Sequence, residues 1–181
     1  MNDRSRSAKN LFPVGSAQGE GEVPSPDRSL GGPESWSHLA GRLEGGTHIL
    51  PVRVYYEDTD FSGVVYHASY LRFLERGRTD FLRLAGVDQS TLHADGAGLI
   101  FAVRRMTIDF LKPARMDDVL TVQTRTDEVR GASLVVAQAI RRGDDTLLTA
   151  DVRVAALVGA RPARIPDALR AILKPGSEDR S

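Results

Sequence analysis

The sequence contains no cysteine, so it offers neither a disulfide nor a thiol nucleophile, and cysteine-based zinc ribbons are excluded. It has no excess charge of either sign: 24 Lys and Arg stand against 24 Asp and Glu. No global field therefore favours nucleic acid or an anionic membrane, and neither is expected as a partner. No apolar run approaches the roughly 18 residues that a membrane span needs, so no transmembrane segment is expected. The first residues carry no apolar core of a secretory signal, which leads to the expectation of a soluble, cytoplasmic protein. Also missing are G-x-S-x-G, G-x-G-x-x-G, Walker A, H-x-H and H-E-x-x-H patterns. His48, Glu57, Asp58, Asp60 and His67 lack any specific ligand spacing, so no metal and no cofactor is expected.

What is present begins late. Eight Gly, seven Ser and four Pro fall within residues 1–48, and no apolar periodicity runs through them. Such a segment buries too little surface to offset its ordering entropy, so 1–48 is read as a disordered extension. Residues 49–173 form the expected domain, and 174–181 a frayed tail. Val52, Val54 and Tyr56 alternate with polar neighbours, predicting a strand through VRVYY. From His67 the period changes: Tyr70, Leu74, Gly77, Phe81 and Leu84 share one helical face, widened by Leu71, Phe73 and Leu82. The stripe is wide enough to predict a helix buried on most sides, stopped at Gly86. Strands are predicted over 99–111, 119–129, 134–141 and 147–158, with turns at Arg130-Gly131 and Gly143-Asp144-Asp145. A short helix is expected over 166–173. The order β-α-β-β-β-β predicts an α+β fold: an antiparallel sheet of about five strands wrapped around one long central helix.

The chemistry concentrates in 52–81, VRVYYEDTDFSGVVYHASYLRFLERGRTDF. A strand end runs into Glu57, Asp58 and Asp60, and a glycine-containing loop then leads to His67 at the helix start. A carboxylate beside free backbone N–H groups suits hydrolysis of an activated acyl group without a serine or cysteine nucleophile. Acids ahead of a helix are also common turn formers and caps, and Asp58 is read that way, hydrogen-bonding loop amides. Glu57 and Tyr56 carry less of the argument. Glu75 and Arg78, three residues apart on the helix, are expected to pair.

The segment YYEDTDFSGVVYHASYLRFLERGRTDFL resembles the signature of the YbgC-type, Tol–Pal-associated acyl-CoA thioesterases of the 4-hydroxybenzoyl-CoA thioesterase group. FAVRRMTIDFLKPARMDD and VRGASLV resemble later strands and a turn of the same family, so the likeness spans about residues 50 to 173. It implies the hotdog fold and hydrolysis of acyl-CoA to a free acid and CoA. By motif position it assigns Asp60 as general base or nucleophile and the backbone N–H of His67 as the oxyanion donor. It also implies substrate contacts, for which Tyr66, Arg105 and Arg130 are chosen. Arg104, Lys112, Arg141 and Arg142 are further candidates for the CoA phosphates. A homodimer or homotetramer with its sites at the interface is implied, with acyl carrier protein as a further partner. Leu92, Leu99, Phe101 and Met106 are candidates for the acyl tunnel. The motif departs from its relatives at Phe61-Ser62, where Ala-Gly is common.

Two rival readings remain. A non-catalytic acyl-binding or scaffold protein associated with acyl carrier protein or the Tol–Pal envelope machinery would have no use for the complete acidic loop. A hotdog hydratase or dehydratase needs an acid/base pair over the acyl Cα–Cβ bond, and its motif is absent.

Overall fold

The computed structural model describes residues 39–86 and 98–175. Its elements run β1 (Arg42–Glu44), β2 (Thr47–Arg53), a 3-10 turn at Tyr56–Asp58, α1 (His67–Leu84), β3 (Leu99–Phe110) and β4 (Val119–Val129). They continue with β5 (Ser133–Arg142), β6 (Asp145–Val158), β7 (Arg161–Pro162) and α2 (Asp167–Ile172). The strands form one antiparallel sheet in the order β1-β2-β4-β5-β6-β3, with β7 added on β6. β3 has β6 as its neighbour on one side and forms an edge of the sheet. No helix among the described residues is long and apolar enough to cross a membrane.

Several expectations need correction. The sheet has seven strands rather than about five, and strand structure starts at Arg42, ahead of the expected boundary at 49. The β1–β2 hairpin turns through Gly45 (φ +53°) and Gly46 (φ +76°), a conformation that glycine adopts without strain. Those same glycines made the segment look structureless in the sequence. The strand through VRVYY is the second correction: Val52 and Val54 are buried as the alternation requires, but β2 ends at Arg53 and Tyr56 is exposed. The Asp58 carboxylate accepts the Tyr55 N–H at 2.9 Å and bends the chain into the 3-10 turn instead.

α1 packs across β2 and β4. Ser69, Tyr70, Phe73, Leu74, Gly77 and Phe81 are buried, the i, i+3, i+4 spacing of one face. Each large apolar side chain here contributes about 1.5–3 kcal/mol by burial. Gly77 permits the close approach: a Cβ there would meet Val122 Cγ1 at 2.8 Å and Thr124 Oγ1 at 2.9 Å. The helix is less enclosed than its wide stripe predicts. Leu71 is exposed and Leu82 half-buried, because the sheet covers one side of α1 and leaves the other open.

Beside Gly77, where α1 crosses β4, Gln138 pairs the polar groups. Gln138 is buried, and its Nε2 donates to Leu74 O and Thr124 Oγ1, both at 2.9 Å. Its Oε1 accepts from Arg78 Nη1 at 2.8 Å. The expected Glu75–Arg78 ion pair is absent among the described residues. Arg78 turns inward to Gln138, while Glu75 accepts from Thr79 Oγ1 at 2.8 Å.

Candidate active site

The 3-10 turn fixes the start of the site. Asp58 is buried, with Oδ2 on the Tyr55 N–H and Oδ1 3.8 Å from Arg72 Nη2. Its carbonyl accepts the Tyr66 N–H at 2.9 Å, which sets where α1 begins. Between these points the chain makes a tight turn: Asp60 N–H donates to Val64 O at 3.0 Å and Gly63 N–H to Asp60 O at 2.9 Å. Val65 N–H donates to Ala114 O at 2.9 Å, and Val64 bridges to Arg115, so the turn is tied to the β3–β4 connection. Backbone hydrogen bonds and the Asp58 carboxylate thus position the loop.

The Asp60 carboxylate is exposed. Its Oδ1 accepts the Ser62 N–H at 2.8 Å and the Ser62 hydroxyl. These bonds from Ser62, side chain first, hold the Asp60 pKa below the ordinary aspartate value, and the nearby His67 lowers it further. Asp60 is therefore ionised throughout the neutral range.

His67 is the first residue of α1, following Tyr66 at the cap position, where no side chain caps the helix. The backbone N–H groups of His67 and Ala68 find no acceptor among the described residues. The first turn carries no acid, so the positive end of the helix is uncompensated from within. Tyr66 and His67 stack at 4.3 Å between ring centroids, tilted by 56°. Beside them opens a cleft of about 320 Å³ lined by Val65, His67, Tyr70, Phe110, Leu111 and Lys112. Tyr70, pushed up in pKa chiefly by burial, accepts the Ala114 N–H at 2.8 Å, a supporting role.

The predicted residues divide into two groups. Asp60, Tyr66 and His67 come together on one loop and helix end. Arg105 sits in the middle of β3, paired in register with Arg153, away from the cleft. Arg130 lies in the β4–β5 turn, its Nε on Glu128 Oε1 at 2.7 Å. The 11 residues of β4 separate that turn from the Asp60 loop, on the order of 35 Å. Lys112 was passed over in favour of Arg105 and Arg130, yet it lines the cleft with His67 and pairs with Asp145. His48 is buried in the core with Nε2 2.6 Å from Ala40 O, far from any role with Asp60. Of the tunnel candidates, Leu92 lies outside the described residues.

The thioesterase superfamily model matches residues 62–149. The acyl-CoA thioester hydrolase YbgC of Escherichia coli O6:H1 is 46% identical over 127 residues, covering 68% of this chain and 93% of that protein. The probable thioesterase of Bartonella henselae superposes with a TM-score of 0.64 at 45% identity, over 66% of this chain and 99% of that one. The 4-hydroxybenzoyl CoA thioesterase of Pseudomonas sp. strain CBS-3 gives a TM-score of 0.64 at 21% identity over 70% of this chain and 98% of that one, a likeness of fold.

Proposed function

The chain belongs to the thioesterase superfamily, among the YbgC acyl-CoA thioester hydrolases, and from that premise we propose that it cleaves acyl-CoA at the Asp60 loop and the start of α1. Its α+β architecture is the hotdog fold, and it is a thioester hydrolase. The observation that best supports the site assignment is the pair of open N–H groups at His67 and Ala68 beside an ionised Asp60.

In this reading the thioester carbonyl oxygen points at the His67 N–H, which holds the tetrahedral oxyanion as charge develops. Asp60 acts by one of two routes. As a base it takes a proton from water while the water oxygen attacks the carbonyl carbon; the C–S bond then breaks and the proton passes to the CoA thiolate. As a nucleophile it attacks directly and expels the thiolate, and water then opens the mixed anhydride and supplies the thiol proton. Either route consumes one water and yields one acid and one CoA thiol. Tyr66 flanks the thioester.

The quaternary arrangement follows from the open edge of β3, which carries exposed Ile100, Val103 and Phe110. Antiparallel pairing of β3 between two copies covers this edge. It also sets the Leu99 end of one copy beside the Phe110 end of the other. Arg130 lies at the Leu99 end, so each copy's Arg130 reaches the phosphates of CoA bound at the other, with Arg105 near the two-fold axis. Acyl carrier protein, which presents the same kind of thioester, is a second donor, and the cytoplasm is the compartment that supplies both.

Thiol release from a panel of acyl-CoAs, aliphatic and aromatic, tests the function. Asp60→Asn is expected to lose at least about a hundredfold in turnover. Unchanged turnover in that variant would reject the assigned mechanism, and tight acyl binding without turnover in the wild type would favour the scaffold reading.

A further inference from the structure

A second cavity, of about 140 Å³, lies between α1 and the strands β3, β5 and β6. Leu82, Phe101, Val103 and Val136 make its walls apolar, and Glu75 and Arg78 stand on its lining. These two charges do not neutralise each other by contact. Gln138, itself buried and anchored to Leu74 O and Thr124, holds the Arg78 guanidinium, while Thr79 holds the Glu75 carboxylate. Arg78 has no carboxylate within salt-bridge distance among the described residues. Desolvation lowers its pKa, whereas the field of Glu75 raises it. A fixed donor and a fixed acceptor therefore face one small apolar space. A hydroxyl is the smallest group that accepts from a guanidinium and donates to a carboxylate at once.

The position of this cavity identifies its occupant. Phe101 and Val103 belong to one end of β3, and Phe110, in the cleft beside His67, to the other. Along α1, His67 and Arg78 are 11 residues apart, about 16 Å of helix. Antiparallel pairing of the β3 edges brings one copy's Phe101 end to the other copy's Phe110 end, so the cavity of one subunit adjoins the cleft of its partner. We propose that this cavity receives the acyl group of the thioester held at Asp60 of the partner subunit, and that Glu75 and Arg78 select acyl groups bearing a terminal hydroxyl. The inference rests on the thioesterase and dimer readings above.

Two experiments test it. The first compares kcat/KM for 4-hydroxybutanoyl-CoA and butanoyl-CoA. The wild type favours the hydroxylated substrate about tenfold, the scale of one net hydrogen bond to a charged group. Arg78→Met brings the ratio to about one, and Arg78→Lys, which keeps the cation, restores part of it. A wild type that hydrolyses neither of these substrates but hydrolyses other members of the acyl-CoA panel overturns this inference alone, and one that hydrolyses no member of the panel overturns the reading beneath it. A ratio that is the same in wild type and Arg78→Met overturns the inference alone.

The second uses a purified heterodimer of one Asp60→Asn chain and one Arg78→Met chain, each separately tagged. If Arg78 serves the partner's Asp60, one site carries both changes and the other is intact, so half the wild-type activity remains with wild-type selectivity. Residual activity with the selectivity of Arg78→Met overturns the shared site. A chain that sediments as a monomer does so as well.

Discussion

The middle and the beginning of α1 treat their polar groups in opposite ways. Around Gly77 the helix lies against β4, and Gln138, Thr124 and Arg78 satisfy one another. At His67 the same helix leaves two backbone N–H groups without acceptors among the described residues, beside a carboxylate that points to solvent. Around Gly77 these buried groups are paired, and an unpaired one costs about 1–3 kcal/mol, a cost that His48 Nδ1 and Thr126 Oγ1 bear elsewhere in the core. The exposed helix end escapes that cost, since water satisfies it until a substrate arrives. The Gly77 contact with β4 secures the fold, and the helix start is kept open for chemistry.

Substitutions that damage one half and spare the other test this division. Asp60→Asn is the largest: the loss of a hundredfold or more in kcat/KM should come with a stability change within about 0.5 kcal/mol, read by denaturant titration. Gly77→Leu is the reverse. Its side chain meets Val122 and Thr124, and stability falls by about 1–3 kcal/mol in the same titration. Ser62→Ala is subtler. Asp60 works ionised and its pKa is held low by Ser62, so wild-type kcat/KM stays flat on acidification until pH falls below the ordinary aspartate value. Removing the hydroxyl raises that pKa, and the acid limb of the pH profile moves toward neutrality. Arg130→Ala has the smallest effect on the fold, because its pair with Glu128 is exposed and screened by solvent. Its KM should rise more with acyl-CoA than with the matching pantetheine thioester, which lacks the phosphates.

The sequence showed the half of α1 that packs more clearly than the half that reacts. Apolar spacing from Tyr70 to Phe81 marks the buried face, and alternation marks β3 to β6, because burial repeats with the period of the element. β1 left no such trace: its hairpin is short, exposed and glycine-turned. The end of β2 depended on one side chain, Asp58, whose bond to Tyr55 overrides the alternation. Asp60 and His67 were legible because loop and helix start are adjacent in sequence. Lys112 was not distinguished, since its place beside His67 in the cleft is set by the fold and not by sequence spacing. Arg78 was misjudged for a similar reason: helical spacing offered it Glu75, but Gln138, sixty residues away, holds it instead.

The most direct test of the open helix end is to remove the His67 N–H without disturbing the helix. Proline is suited to the first helical position, and Tyr66 already has the extended conformation (φ −63°, ψ 134°) that a following proline requires. His67→Pro deletes the N–H, whereas His67→Ala keeps it and removes only the imidazole. With both variants folded, the account predicts that kcat of His67→Pro falls about 100- to 1000-fold below that of His67→Ala, the scale of one oxyanion donor. Equal kcat values for the two would contradict it.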